Sequence, residues 1–420
     1  MSIQISGATA RELADSVEDA VRAGALAPGA PLPSVRDLAA SAGVSPTTAA
    51  AALSDLRRRG LIVTRPRRRS VVSPRPPLPT AAAPAPLPAG VRDVANGHPD
   101  HALLPDLAAA IARVDYKPRS YDAEQVLPEL VPVARREFAE AGVRVEHLCL
   151  ASGALDGVER VLGAYLDPGD RVAVEDPCYS ALLDLIRAMG LVPVPVAIDE
   201  RGAVPDRLAA AVASGVEALV LTPRGQNPTG AAFDRRRARE LATVLRRHPD
   251  LLVVEDDHQG PLSGAAGASV VPGRTRWARI RSVTKALGPD LRLAFVAGDE
   301  QTVSRVDGRL AVGPGWVSSI LQTIVLELMT AKRAQAQLVR ATHAYRERRA
   351  ALVEALAERG IAATARSGFN VWVPVPDETA VVSSLLTRGW FVAAGARRSG
   401  TDSPEERLVS ASLKYQHEPY

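Results

Sequence analysis

The sequence predicts an α+β winged helix-turn-helix domain joined to a larger α/β domain with a mostly parallel sheet and a smaller α+β lobe. Three observations carry this prediction. First, residues 73–90 hold seven prolines in 18 positions and divide the chain. Proline fixes φ and lacks an amide donor, so such a stretch favours extended polyproline geometry and reads as a semi-rigid linker. Second, three short helical patterns and a basic hairpin precede it. Third, short apolar runs alternate with helix-length segments after it, the pattern of a parallel sheet covered on both faces. Domains at 1–73 and 91–420, with a linker at 74–90, follow.

The elements are justified in order. Leu13, Val17, Ala20 and Val21 share one helical face. After the turn-rich GALAPGAPLPS, Ser34 caps a second helix with apolar Val35, Leu38, Ala39 and Ala42, and Gly43 ends it. Ser45 caps a third helix, 46–59, with Pro46 at its first position and Gly60 at its end. LIVT reads as a strand, RPRRR as a turn and SVVS as the returning strand. In the large domain, strands are predicted at 147–151, 171–175, 192–197, 218–222, 251–255 and 294–297. Helices are predicted at 154–166, 180–189, 204–213 and 235–247. A long helical region covers 317–360, and VWVPV and RLVSASL supply strands of the smaller lobe.

Composition narrows the function classes. With 420 residues, 46% hydrophobic and 23% charged, the chain is of globular type. No apolar run reaches the ~18 residues of a membrane span. MSIQISGATARE shows no basic segment followed by an apolar one, as a secretory leader would. Two cysteines, Cys149 and Cys178, make no disulfide framework, so a reducing, cytoplasmic setting is expected. The net charge of +4 is small, but between Leu53 and Arg75 eight arginines face one acid, Asp55. Of the 51 basic residues only four are lysine: Lys117, Lys285, Lys332 and Lys414. A lysine kept in so arginine-biased a chain is a candidate for imine chemistry, which guanidinium cannot perform.

The basic patch belongs to a DNA-reading pattern. A recognition helix needs a small, polar first turn to enter the major groove, here Ser45, Pro46, Thr47 and Thr48. Arg36 on the preceding helix can reach a phosphate or a base edge. Arg57–Arg59 and Arg65–Arg69, including Arg67, Arg68 and Arg69, would line the DNA backbone and the wing. LPSVRDLA, GVSPTT and LRRRGLI, in this order over residues 9–73, resemble the GntR-type winged helix domain. The resemblance implies DNA contacts from Arg36 and Ser45–Thr48. The wing, RPRRRSVV, departs from it in lacking glycine.

The large domain carries five signals in order. LASGALDGVERV places a glycine turn before a helix, which offers amides to an anion. LDPGDRVAVEDPCY puts Tyr179 just past a strand, where a ring can stack on a flat cofactor. LTPRGQNPTG puts the amide of Asn227 in a Pro-Gly turn. VVEDDHQG puts two carboxylates and His258 at a strand end; a metal site would need further ligands, and no second cluster of His, Asp or Glu is visible. SVTKALGPDLRLAF puts Lys285 between two short strands, with Arg292 seven residues on. Loops at strand ends are where open α/β sheets bind ligands. A lysine there can form an imine with an aldehyde, a carboxylate can hold a protonated pyridine nitrogen, and Ser, Arg and amides can clamp a phosphate.

Together these motifs resemble the fold-type I aminotransferases, which use pyridoxal 5′-phosphate (PLP), from about Val91 to Leu413. The resemblance implies PLP as cofactor and Lys285 as its catalytic, imine-forming lysine. It makes Asp256 the pyridinium partner, Asn227 the amide beside the ring oxygen and Tyr179 the stacking ring. Gly153, Ala154, Ser282 and Arg292 take phosphate-binding places. Arg407 grips a ligand carboxylate, and Tyr121 reaches the phosphate of a neighbouring subunit, although YDAEQVLPEL lacks the glycine usual after that tyrosine. His258 stands where the family often has a tyrosine that donates to the ring oxygen; an imidazole can do so in one tautomer. The order of head, linker and body resembles the MocR subfamily of bacterial regulators. This implies a PLP-dependent transcription regulator that senses PLP or an amino acid or amine ligand, dimerises and binds an operator in double-stranded DNA. A catalytically active aminotransferase carrying a DNA-binding head is the alternative.

Overall fold

The computed structural model describes residues 5–22, 24–64, 69–73, 87–395 and 408–412. The wing tip with Arg67 and Arg68, most of the proposed linker, and Arg407 lie outside them. Two compact units are present, one comprising residues 1–85, 165–172 and 180–194, the other the remainder.

In the N-terminal region, helix α1 (Ala10–Arg22) buries Leu13, Val17 and Val21 against α2 (Val35–Ala42) and α3 (Pro46–Arg58). Ser34 closes a full capping box with Asp37, and Gly43 ends α2 in the left-handed region at φ 68°. Two residues later Ser45 caps α3, so the helix-turn-helix is fixed by local chemistry on both sides of the turn. Leu38, Leu53, Leu56 and Ile62 complete the core. Strands β1 (Ile62–Thr64) and β2 (Ser70–Val72) pair antiparallel, Ile62 opposite Val72.

In the C-terminal region, strand β3 (Arg92–Asp93), helices α4 (Leu107–Ile111) and α5 (Leu130–Glu140), and strand β4 (His147–Ala151) lead into helix α6 (Ala154–Gly163). There follow β5 (Arg171–Asp176), α7 (Ser180–Ala188), β6 (Val192–Asp199), β7 (Gly202–Ala203), α8 (Pro205–Ala213), β8 (Ala218–Leu221), α9 (Arg235–Leu245) and β9 (Leu252–Asp257). Then come β10 (Trp277–Ser282), the single-turn α10 (Thr284–Leu287), β11 (Ala294–Gly298) and α11 (Glu300–Ala311). The eight-stranded sheet has the order β4-β11-β10-β9-β8-β5-β6-β7. β11 runs antiparallel to both neighbours, so β4, β10, β9 and β8 all point the same way. β8, β9, β10 and β11 are buried along their whole length, as expected of strands covered on both faces.

The predicted helical region 317–360 is two helices, α12 (Ser319–Thr330) and α13 (Lys332–Ala357), separated by one extended residue, Ala331, with neither Gly nor Pro to announce it. The smaller lobe holds β12 (Asn370–Pro374), α14 (Glu378–Thr387), β13 (Trp390–Phe391), β14 (Ala393–Ala394) and β15 (Leu408–Ser412). β15 pairs antiparallel with both β12 and β14. Among the described residues no helix is long and apolar enough to cross a membrane.

Candidate functional site

Strand register brings four of the five sequence signals to one edge of the sheet, and a hydrogen bond from Gln226 to the Pro177 carbonyl draws the fifth towards the loop after β8. Ala151, the last residue of β4, pairs with Ala294, the first of β11, and Ala294 pairs with Ser282, the last of β10. Ser152–Ala154, Arg292 and Thr284–Lys285 therefore leave the sheet side by side. On the other flank, Ile280 is opposite Asp256 and Glu255 opposite Leu221, so His258 and the loop after β8 emerge at the same level. This is the carboxyl end of the parallel strands, where such sheets bind ligands.

An anion cradle forms there. Gly153 starts α6 with φ 112° and ψ 172°, a conformation essentially reserved for glycine, and no side chain caps the helix. A Cβ on Gly153 would lie 2.4 Å from Arg292 Nη2, so the guanidinium rests directly over the glycine, where it also donates to the Ser152 carbonyl at 3.0 Å. Arg292 is itself held at φ 27°. Ser282 Oγ is buried and 3.0 Å from Thr284 Oγ1. Free helix amides, two hydroxyls and a guanidinium thus border one corner.

Lys285 sits in the first turn after β10, half-buried, and burial pushes its ammonium down to about 8. Its Nζ donates to the Gly97 carbonyl. The arm that carries Gly97 is anchored three residues on: Asp100 N donates to the buried Tyr345 hydroxyl at 2.7 Å, and the Asp100 carboxylate takes Arg348 at 2.9 Å.

The carboxylates of β9 divide by strand alternation. Glu255 and Asp257 share one face and are consumed by buried arginines. Arg279, fully buried, bonds Glu255 at 2.6 Å and Asp257 at 2.8 Å, while Arg224 bonds Asp257 at 2.7 and 2.8 Å. Burial alone would raise the Asp257 carboxyl, but Arg279 and Arg224 hold it well below the usual carboxylate range. Asp256 faces the other way: it is buried and its Oδ1 has no hydrogen-bond partner. His258 Nδ1 lies 3.6 Å from Asp256 Oδ2 and its Nε2 lies 3.4 Å from the buried Gln259 Nε2, which donates to the Gly225 carbonyl. The imidazole is thus oriented towards Asp256. Among the described residues no group of three His, Cys, Asp or Glu could hold a metal ion.

Gln226 ties two loops together. Its amide donates to the Pro177 carbonyl at 2.7 Å and accepts from Thr229 N and Oγ1 at 3.0 and 2.6 Å. This fixes Asn227, the next residue, and Tyr179, two residues beyond Pro177; Tyr179 remains 41% exposed. Tyr121 stands apart, 93% exposed, with its ring edge-on to Trp316 at 5.5 Å. Sequence reasoning passed over Glu175, Gln226, Gln259 and the Gly97 carbonyl. The signal for Glu175 was present: an acid in the apolar run RVAVED is inward-facing if the strand is covered on both sides.

In the N-terminal domain, Ser45 Oγ accepts from Thr48 N at 3.1 Å and lies 2.8 Å from Thr48 Oγ1, and Ser45, Pro46 and Thr47 are exposed. Arg36, Arg57 and Arg69 are exposed, Arg69 with its guanidinium 4.0 Å from Asp37. Arg59 pairs with Glu18, with Asp55 at 3.2 Å and with Asp15 at 3.6 Å, and so braces α3 against α1.

A winged helix-turn-helix and an aminotransferase-type sheet with a lysine, a carboxylate and an anion cradle at its edge define a class: a DNA-binding domain fused to a PLP-type body. The family models agree. Residues 9–72 match the gntR family of bacterial regulatory proteins, and residues 124–403 match aminotransferase class I and II. The chain belongs to the MocR subfamily of GntR-type, PLP-dependent regulators. It is 38% identical over 406 residues, 96% of this chain and 94% of the relative, to the vitamin B6 salvage pathway transcriptional repressor PtsJ of Salmonella typhimurium. It is 25% identical over 87% of its length, and 86% of the relative, to the HTH-type transcriptional regulator YdcR of Escherichia coli. Among solved structures, an archaeal alanine:glyoxylate aminotransferase matches with TM-score 0.71 and 21% identity, covering 77% of this chain and 86% of the other. A Thermus thermophilus aspartate aminotransferase mutant matches with TM-score 0.68 and 24% identity over 80% and 96%. These likenesses show the fold.

Proposed function

We propose that this chain is a PLP-responsive transcription regulator of vitamin B6 metabolism, which reads PLP, or an amino acid or amine presented to it, and adjusts operator binding. The observation that carries the reading is the orphaned, buried Asp256 Oδ1 on the same sheet edge as Lys285 and the anion cradle, in a chain that begins with a DNA-binding domain. A protonated ring nitrogen would satisfy that oxygen, and a phosphate would satisfy the free amides at Gly153 and Ala154 together with Ser282 and Arg292. PLP supplies an aldehyde and a ring that withdraws electrons. Lys285 would hold the aldehyde carbon with an amine that burial keeps partly neutral. Asn227 and His258 would flank the ring oxygen and Tyr179 would stack on the ring. Arg407 would take a ligand carboxylate.

Ser45, Thr47, Thr48 and Arg36 would meet base edges and phosphates, with Arg57, Arg67, Arg68 and Arg69 on the DNA backbone. A homodimer in the cytoplasm would present two such domains to a palindromic or repeated operator. Its exposed Tyr121 would reach the partner's site. The role in vitamin B6 metabolism rests on the function printed for the 38% identical relative.

The test is borohydride reduction of PLP-loaded protein followed by peptide mass mapping. The label is expected on Lys285 and absent from Lys285→Ala. Equal labelling of Lys117, Lys332 or Lys414, or none, would refute the reading.

A further inference from the structure

A second buried carboxyl lies behind Asp256. Glu175, on β5, is 3% exposed. In the sheet order β8 lies between β5 and β9, and the residue that bonds Glu175 is Thr222, just past β8. Thr222 N donates to Glu175 Oε2 at 3.2 Å, and Leu221 is opposite Glu255, which puts Thr222 level with Asp256. Glu175 Oε1 has no hydrogen-bond partner and no access to solvent, which is also true of Asp256 Oδ1. The charged group acting on Glu175 is Asp256, which itself faces His258 Nδ1 at 3.6 Å, and the polar neighbours of Glu175 are Thr222 and Gln226. The buried arginines Arg224 and Arg279 are engaged by Glu255 and Asp257, on the other face of β9.

Two like charges in so dry a place do not both ionise at neutral pH. Asp256 is the one that a protonated ring nitrogen would neutralise. We propose that Glu175 is a positioning residue that carries the proton of this pair, leaving Asp256 as the sole anion offered to the ring nitrogen. This rests on the reading of Asp256 given above. Burial, acting against the hydrogen bonds from Thr222, pushes the Glu175 carboxyl up to about 8. Neutral Glu175 keeps the loop Thr222–Gln226 in place by its hydrogen bond without adding a second negative charge. When a cation reaches Asp256, the repulsion that Glu175 feels falls, and Glu175 gives up its proton more readily. By linkage, cation binding and Glu175 ionisation then favour each other as pH rises.

Two measurements on the full chain test this. The first needs no PLP: infrared titration of the apo-protein, wild type against Glu175→Gln. A carboxylic-acid carbonyl band is expected at pH 7 in wild type, lost on raising the pH through about 8 and absent from the variant. Its absence from wild type at pH 7 would overturn the proposal, and the wild-type titration decides this even if the variant does not fold. The second is calorimetric proton release on PLP binding near pH 8. Glu175→Gln should bind PLP within about twofold of wild type at pH 7 and release fewer protons near pH 8. Equal proton release would overturn the proposal. If wild type takes up no PLP at all, the proposed function fails, while the infrared band still decides where the proton lies.

Discussion

The buried ammonium of Lys285 makes a prediction whose size follows from the structure. Its acidity lies at about 8, against 10.5 for a solvated lysine. At pH 7 about one amine in ten is then neutral, whereas a solvated lysine offers roughly one in three thousand, a gain of about 300-fold in nucleophile. PLP uptake by apo-protein, followed by stopped-flow absorbance, should therefore accelerate about tenfold per pH unit up to pH 8 and then level off. Stability follows from the same shift. Because the folded state binds the proton less well than the unfolded state, wild type is penalised fully below pH 8, and the penalty fades as pH rises towards 10.5. Lys285→Met should thus be more stable than wild type at pH 7, by up to about 3 kcal/mol, and should lose that advantage near pH 10.5. The hydrogen bond to Gly97 will reduce the figure by stabilising the charged form. An uptake rate that keeps climbing through pH 10, together with no gain in stability for Lys285→Met, would refute the reasoning.

Further outcomes follow from other residues. Gly153→Ala must carry a Cβ into Arg292 at an unfavourable φ, which costs about 1–3 kcal/mol of strain; PLP affinity by fluorescence titration should fall about tenfold or more. Arg279→Met strands Glu255 without its guanidinium and should cost about 3–5 kcal/mol in urea unfolding. Replacing Arg67, Arg68 and Arg69 by Ala should flatten the log–log salt dependence of DNA binding by about 0.9 for each phosphate that is no longer neutralised, alike on all sequences. Arg36→Ala should in addition narrow the preference for operator over random DNA in competition assays.

The N-terminal elements were the most legible because local chemistry fixes them: Ser34, Gly43 and Ser45 set the helix ends with their own side chains or φ angles. In the large domain the strands were readable from apolar runs, β4 at both ends and β5, β6, β8 and β11 at their starts, while other ends shift by one or two residues. β9 continues through Asp256 and Asp257, beyond the end predicted at Glu255, and Arg224 and Arg279 neutralise the Asp257 charge that otherwise looks like a loop. Helices α4, α5, α11 and α14 are not among the elements predicted, and neither is the break at Ala331, which no Gly or Pro marks. Within the candidate site, the motif order singles out Lys285, Asp256 and Gly153, which strand register brings to one sheet edge. The side chains that orient them come from far away in sequence: Gln226 reaches Pro177, 49 residues away, and Lys285 reaches Gly97, 188 residues away. Such pairings are set by sheet order, which no local pattern encodes. Arg59 is a further case: one of a run of arginines that reads as a DNA contact, it also pairs with Glu18, Asp15 and Asp55.

The most direct test of the regulator reading joins the two domains in one measurement. DNA fragments enriched from a genomic pool by the full-length protein should be titrated with apo-protein, with PLP-loaded protein and with Lys285→Ala plus PLP, at one fixed salt concentration. A ligand shifts an equilibrium only by its differential affinity for the two states. The account predicts that PLP changes operator affinity severalfold in wild type, and that Lys285→Ala loses that response while keeping its apo affinity. Superimposable titrations for apo and PLP-loaded wild type would contradict it.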